Sequence, residues 1–341
     1  MRQASIRDVA ETAGVSVGTV SNVLNNPGKV SESTIARVSD AIAALGFVRN
    51  DAARQLRGGD SRVIGLIILD GGNPFFTDVA RGAEAAAEES GRVILLGNSD
   101  QLVEREAHYL DLFDERRVMG ILISPVGDVS DRLRRLRRRG MPAVLVDRRA
   151  DLTEFSSVSV DDVRGGYLAT EHLLGLGRRR IAFVGGPGDL QQVADRLTGA
   201  RAAVAAAPGA TLEVVEIPAL TVQNGREAAT AIARRDAADR PDAIFAANDL
   251  AAMGVLQALV MQGELRVPDD VALIGYDDID FARAAVVPLS SVRQPSALIG
   301  QTAVEILRDE ADDPERPPRQ IVFEPELVVR ESTAAGTVAA G

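Results

Sequence analysis

From Val63 onward the chain repeats one pattern: a short apolar run, a stretch with apolar residues at helical spacing, then another short apolar run. Runs at 63–69, 92–97, 120–124 and 143–147 read as strands, and the first is apolar on both faces, as a strand covered on both sides must be. The spacing predicts helices over 75–90, 102–116 and 129–139 between them. A second series follows, with strands at 181–185, 213–217, 243–247 and 271–276 and helices over 163–176, 193–207, 225–234 and 251–261. Alternation of this kind argues for a parallel sheet with helices on both faces. Two such series predict an α/β core of two similar Rossmann-like lobes.

The first 60 residues follow a different rule. Ser5 can cap a helix, with Asp8 in capping-box position, and Ile6, Val9, Ala10 and Ala13 share one face. Gly14 supplies a sharp turn. Ser16 can cap a second helix, with Val20, Val23 and Leu24 facing inward and Val17, Gly18, Thr19, Ser21 and Asn22 outside. After a loop through Pro27 and Gly28, Ser31 can cap a third helix carrying Ile35, Val38, Ile42 and Leu45. This is a small all-α helix-turn-helix headpiece. Short polar side chains near a helix N-terminus let the backbone approach phosphates and base edges in a major groove. An ordinary three-helix cap can use the same turn, so the motif alone leaves both readings open.

The next run, Asp51-Ala52-Ala53-Arg54-Gln55-Leu56-Arg57, is helix-capable but too short to be a stable helix alone. The stretch from Ile6 to Leu56 closely resembles the headpiece and hinge of the LacI/GalR family of transcriptional regulators, the lactose, galactose and purine repressors. Further landmarks follow in that family's order: Asn73-Pro74-Phe75-Phe76, Val146-Asp147-Arg148, Arg196-Leu197-Thr198-Gly199, Ala247-Asn248-Asp249, Gly275-Tyr276-Asp277-Asp278 and Ser290-Ser291-Val292-Arg293-Gln294-Pro295. The resemblance covers residues 5–333 and implies a periplasmic-binding-protein-like core. It implies that the hinge folds on palindromic operator DNA, where Leu56, flanked by Ala53 and Arg57, stands at the position of an apolar wedge in the minor groove. The implied DNA contacts are Ser16, Val17, Gly18, Thr19, Ser21, Asn22, Asn25, Lys29, Ser31, Ala53, Leu56 and Arg57.

The division that follows is a headpiece over 1–49, a hinge helix and linker over 50–60, an effector-binding and dimerisation core over 61–333, and a disordered tail over 334–341. Three crossovers, near 157–163, 289–294 and 317–323, are implied between the lobes. They put 61–159 and 292–319 in the first lobe, with the helix over 296–309, and 161–289 and 321–333 in the second. The tail has no heptads, so a homodimer is expected rather than a tetramer joined by a C-terminal helix.

Net charge is −11, an odd value for a DNA binder until it is divided. Residues 1–60 hold seven Arg and Lys against six Asp and Glu, whereas the rest holds 31 against 43. An acidic body repels DNA and leaves the headpiece to approach it. The chain has no cysteine, which removes disulfides, thiolate metal sites and cysteine nucleophiles. No metal or cofactor is expected. Without an apolar leader or a membrane-length apolar run, a cytoplasmic protein with no membrane partner is expected.

In open α/β sheets ligands sit beyond the carboxyl ends of the strands. Asn73, Asp147, Arg148, Asn248 and Asp277 fall at such ends, Arg196 lies on a following helix, and Phe75 or Phe76 could stack on the apolar face of a sugar ring, one facing the cleft and the other the core, with Phe75 taken as the cleft residue. Carboxylates and amides take paired hydroxyls, and a guanidinium forks to two acceptors. These seven residues are the candidate contacts for a small-molecule effector, a mono- or disaccharide. Asp249 is as well suited to capping the next helix as to meeting a ligand. The arginine-rich stretch over 132–139 has leucines three apart and reads as an amphipathic helix with a solvated basic face. Two other classes share parts of this pattern. A transport-type sugar-binding protein shares the two-lobed core but not the helix-turn-helix. An enzyme using Asp147 and Asp277 as acid and base lacks a nucleophile–base constellation and a phosphate loop.

Overall fold

The computed structural model describes residues 4–47, 61–150, 154–262 and 265–334, which form two units, one up to Ser61 and one from Arg62 onward. The N-terminal unit is built on α1 (Ile6–Ala13), α2 (Val17–Asn25) and α3 (Glu32–Leu45). Ser5 and Asp8 form the expected capping box: the Ser5 N–H donates to the Asp8 carboxylate at 2.7 Å and the Asp8 N–H to Ser5 Oγ at 3.4 Å. Gly14 ends α1 at φ 65°, a left-handed conformation that costs glycine nothing. Ser16 accepts the Thr19 N–H at 3.1 Å. Ser31 precedes α3, but its hydroxyl bonds to the Thr34 hydroxyl rather than to a helix N–H. Val9, Ala10, Ala13, Val20, Val23, Val38 and Ala41 make the core, sealed by Ile6, Leu24, Ile35, Ile42 and Phe47. Leu45, expected inside, is exposed. The chain reverses at Gly46, and the Phe47 N–H reaches the Ile42 carbonyl, so Phe47 closes that end instead. The predicted hinge, with Ala53, Leu56 and Arg57, lies outside the described residues, as do 335–341 of the tail.

In the second unit the first series runs β1 (Val63–Ile68), α4 (Pro74–Glu89), β2 (Val93–Asn98), α5 (Val103–Glu115), β3 (Ile121–Ile123), α6 (Ser130–Arg137), β4 (Ala143–Val146) and β5 (Ser156–Val160). The second runs α7 (Asp162–Gly175), β6 (Arg180–Gly185), α8 (Gln191–Ala205), β7 (Thr211–Glu216), α9 (Val222–Ala233), β8 (Ala243–Ala246), α10 (Asp249–Gln262) and β9 (Ala272–Asp277). The chain closes with α11 (Asp280–Ala284), β10 (Ser290–Arg293), α12 (Ser296–Asp312), β11 (Gln320–Phe323) and β12 (Glu326–Val328). The sheets have the orders β11-β5-β4-β3-β1-β2 and β12-β10-β9-β8-β6-β7. Every pairing is parallel except β10 with β12. Their central strands are buried on both faces, which is why they read as unbroken apolar runs.

The lobe boundaries expected from sequence need correction. β10 lies wholly in the second sheet, so the second crossover falls at Gln294-Pro295 rather than over 289–294. β11 pairs in parallel with β5 in the first sheet, so the third falls at Glu324-Pro325 rather than over 317–323. Residues 320–323 therefore belong to the first lobe and 290–293 to the second. Both crossovers contain a proline, whose missing N–H ends a ladder.

Glycine sets the helix spacing beside the site. A Cβ on Gly166 of α7 would sit 2.0 Å from the Arg196 carbonyl, and one on Gly199 of α8 would sit 1.9 Å from the Val163 carbonyl. These two helices touch backbone to backbone, and only hydrogen fits between them. On α6, Leu133 and Leu136 are buried while Arg132 and Arg134, with Arg139 just past its end, pair with Asp111, Asp131, Glu154 and Asp114, giving the solvated basic face that was expected.

Candidate functional site

The close approach of α7 and α8 delivers Arg196 to the carboxyl ends of the second sheet. Its guanidinium is buried; Nε donates to Asp162 at 2.7 Å and Nη1 to the Ala247 carbonyl at 2.7 Å. Its central carbon lies 3.7 Å from the centroid of the Tyr276 ring. Nη2 lies 3.8 Å from Asp277. Burial works against the charge, but Asp162, Tyr276, Asp277 and Asp147 together outweigh it and hold the guanidinium protonated. The fork expected to grip a ligand is thus turned largely on Asp162 and a main-chain carbonyl of the protein itself. Gly165 makes room for Tyr276, since a Cβ there would meet the phenol oxygen at 2.1 Å.

Asp277 ends β9 and gathers groups from three places. Its carboxylate accepts from Asn73 Nδ2 at 3.1 Å and from Gln294 Nε2 at 2.8 Å, with Arg196 beyond. Asn73 follows β1 in the first lobe, so its bond to Asp277 spans the lobes; its own Oδ1 caps α4 by accepting the Phe75 N–H at 3.0 Å. Burial raises the pKa of Asp277, although Arg196, Asn73 and Gln294 oppose the rise. Next in sequence, Asp278 is held by Arg293, the last residue of β10, at 2.8 Å and by Arg330, two residues past β12, at 2.6 Å. Phe75 is buried and walls a polar recess of about 320 Å³ with Asp78, Asp277, Gln294, Arg293 and Arg330.

Asp147 leaves β4 at φ 56° and is buried. Gln192, on the first turn of α8 in the other lobe, donates its amide to the Asp147 carbonyl at 2.6 Å and to Oδ2 at 3.0 Å. Oδ1 has no partner. Burial, reinforced by Asp162, pushes the Asp147 carboxyl well above the usual range. Arg148 turns away to the Gly127 carbonyl at 2.8 Å. Asn248, rather than Asp249, caps α10: its Oδ1 accepts the Ala251 N–H at 2.8 Å, and its amide donates to the Leu220 carbonyl at 3.3 Å. Asp249 instead accepts from Ser291 Oγ at 2.7 Å and from the Ile279 N–H at 2.8 Å, tying β10 to the loop after β9. Burial, with Asp277 nearby, pushes its pKa well up.

Of the seven residues expected at the cleft, Asn73, Phe75, Asp147, Arg196 and Asp277 gather where the carboxyl ends of the two sheets meet. Asn248 borders this region as a cap, and Arg148 is engaged elsewhere. Asp162, Gln192, Tyr276 and Gln294 were not anticipated as participants. The one signal for Gln192 was its place at the start of the helix following the glycine-rich turn after β6.

In the N-terminal unit, Ser16, Val17, Gly18, Asn22, Lys29 and Ser31 are exposed, and Thr19 and Ser21 are half-buried. The Asn25 side chain lies outside what is described. Among the described residues a Cβ on Gly18 would meet only Ser16 Oγ, at an ordinary 3.6 Å, so none of them requires glycine there.

Residues 5–50 match the family described as bacterial regulatory proteins, lacI family, and residues 170–333 match the periplasmic binding protein-like domain. The HTH-type transcriptional repressor PurR of Aliivibrio fischeri (strain MJ11) is 33% identical over 337 residues, covering 96% of this chain and 98% of that protein. A solved transcriptional regulator CelR–cellobiose complex is 32% identical with a TM-score of 0.71, covering 97% of this chain and all (100%) of the other. The structure of the lac repressor dimer bound to operator and the anti-inducer ONPF has a TM-score of 0.83 at 27% identity, covering 98% of this chain and 100% of that one.

Proposed function

The chain belongs to the lacI family of bacterial regulatory proteins, and from that premise we propose that it is a repressor whose grip on a palindromic operator is set by a sugar held between the two lobes of its core. Its work is regulation, not catalysis. The headpiece reads the operator with Val17, Gly18 and Asn22, while Ser16, Thr19, Ser21, Asn25, Lys29 and Ser31 hold phosphates or flanking edges. Ala53, Leu56 and Arg57 extend the contact into the minor groove. Asn73, Phe75, Asp147, Arg196, Asn248 and Asp277 form or border the effector cleft. Arg148 joins them only by releasing the Gly127 carbonyl.

One observation carries the ligand half of this reading. A carboxylate oxygen of Asp147, buried where the two lobes meet, has no hydrogen-bond partner among the described residues. Leaving such a group unmet is costly, and a sugar hydroxyl is a suitable donor. The protein acts as a cytoplasmic homodimer. The exposed apolar side chains Val93, Leu95 and Leu96 on edge strand β2, with Leu102 and Val103 beyond it, support a covered face. No described helix is long and apolar enough to cross a membrane.

The test has two parts. Selection from a randomised duplex library should yield a palindrome, and fluorescence anisotropy on that duplex should report a change in affinity when a mono- or disaccharide is added. A protein that enriches no sequence would refute the operator reading. An operator affinity indifferent to every sugar that raises the melting temperature would refute the coupling, because a ligand shifts a two-state equilibrium only through differential binding.

A further inference from the structure

We propose that Gln192 is the specificity gate of the cleft: it stands in for an effector at Asp147 when the cleft is empty, and it is displaced only by an uncharged ligand that brings hydrogen-bond donors of its own. This rests on reading the interlobe cleft as the effector site. Gln192 and Asp147 stand on opposite lobes, Gln192 on α8 and Asp147 after β4. The single amide nitrogen of Gln192 reaches both the main-chain carbonyl and Oδ2 of Asp147. It thereby uses the acceptors that a ring hydroxyl would use, and it draws the lobes together while doing so. The substitution is incomplete. A carboxylate offers about four lone-pair sites, and Oδ1 of this buried group receives no donor from the described residues.

The surroundings determine what can replace Gln192. Asp147, Asp162 and Asp277 crowd one guanidinium, that of Arg196, which already donates to Asp162 and to Ala247. A phosphate or carboxylate on the ligand would add negative charge beside Asp147 and could not donate to it. One more buried acceptor beside Asp277, Gln294 Oε1, is also without a donor among the described residues. Both unmet atoms call for hydroxyl or amine hydrogens. The chemistry selected is an uncharged polyol, and its phosphorylated counterpart is rejected.

Because Gln192 competes with the ligand for Asp147, its removal should strengthen binding. Gln192→Ala should bind the preferred neutral sugar about tenfold more tightly, equivalent to about 1.4 kcal/mol. The probes are ribose, glucose and cellobiose, each of the first two paired with its terminal phosphate ester, titrated calorimetrically into full-length wild type, Gln192→Ala and Gln192→Glu. At least tenfold weaker binding of each ester than of its parent sugar supports the proposal, and an ester that binds as well as its parent overturns the ligand class. Sugar affinity that is unchanged or weaker in Gln192→Ala overturns the gate, since Gln192 would then be a spectator or a direct contact. A ligand-free arm separates this from the underlying reading. Hydrogen exchange in the first turn of α8 and after β4 should quicken at least fivefold in both variants, because the bond joining the lobes is gone. Unchanged exchange overturns the gate even if sugars bind. Absence of binding by every sugar to wild type and variants, with exchange quickened as expected, refutes the sugar reading and leaves the Gln192 contact standing.

Discussion

Replacing Arg196 by methionine keeps the bulk of the side chain and removes its charge and donors. Two charge-assisted hydrogen bonds are lost, to Asp162 and to the Ala247 carbonyl. Each contributes roughly 1.5–3 kcal/mol. The guanidinium over Tyr276 adds about 2 kcal/mol in a desolvated setting. Against this gross sum of roughly 5–8 kcal/mol stands the cost of burying the guanidinium, several kcal/mol, which methionine escapes. The carboxylates do not escape: Asp162 and Asp277 remain buried with no cation beside them. Breaking a buried pair from one side costs about 3–5 kcal/mol. For a domain of this size class that lowers the melting temperature by roughly 6–20 °C. Urea unfolding of the full chain, followed by circular dichroism, measures the loss. A cycle with Asp162→Asn tests its cause: the double variant should lose clearly less than the two single losses combined, because the stranded carboxylate has gone. Stability within about 1 kcal/mol of wild type in Arg196→Met, or strict additivity in the cycle, would refute an internally engaged guanidinium.

Gly199→Ala should destabilise the core by about 1–3 kcal/mol and weaken sugar binding, because the new Cβ meets the rigid Val163 carbonyl and pushes away the helix that carries Gln192 and Arg196. Unfolding and calorimetry on the same sample check both effects. Asp147→Asn should stabilise the ligand-free core at pH 7 by on the order of 1 kcal/mol. Its carboxyl is raised by burial, so as pH climbs past the ordinary carboxyl value of 3.8 the unfolded chain ionises first and wild-type stability falls until the raised pKa is passed. Melting temperatures between pH 4 and 8 should therefore decline less steeply in the variant, and parallel curves would contradict this. Gly18→Ala should stabilise the headpiece by about 1 kcal/mol, since α2 has room for the methyl, while weakening operator binding tenfold or more. Anisotropy titrations that leave the affinity intact would remove Gly18 from the groove.

The parts of this fold that could be read from the chain are those where burial on both faces forces an apolar run. β1, β3, β4, β6, β8 and β9 all qualify. β5 does not, although it is equally buried. Two of its three serines are satisfied by residues far along the chain, Ser156 by Glu310 and Ser157 by Gln320, so nothing local marks the strand as interior. The hinge strands β10 and β11 were misplaced for a related reason: their partners are set by topology, and the proline shortly after each was the local clue. Within the site, Asp147 and Asp277 were legible because they sit at strand ends. Arg196 was legible as a residue but not in its role, because Asp162 lies 34 positions away and comes within reach only through the glycine contact of α7 with α8.

The conformations of the aspartates explain why this residue type recurs at those ends. Asp147, Asp277 and Asp278 all have positive φ, at 56°, 106° and 55°. Outside glycine such angles are uncommon, and Asp and Asn tolerate the left-handed region best, so a strand that must turn its last side chain into the cleft favours aspartate for backbone reasons as well as for charge. At 106° Asp277 lies beyond the usual left-handed well, a strain that persists only where surrounding contacts over-determine it. Asn73, Gln294 and Arg196 supply those contacts from the first lobe, the crossover and the second lobe in turn. Asp278, one residue on, is fixed by Arg293 and Arg330 beside the crossovers. Adjacent side chains thus face the cleft and the hinge strands, and the strained backbone between them joins the two.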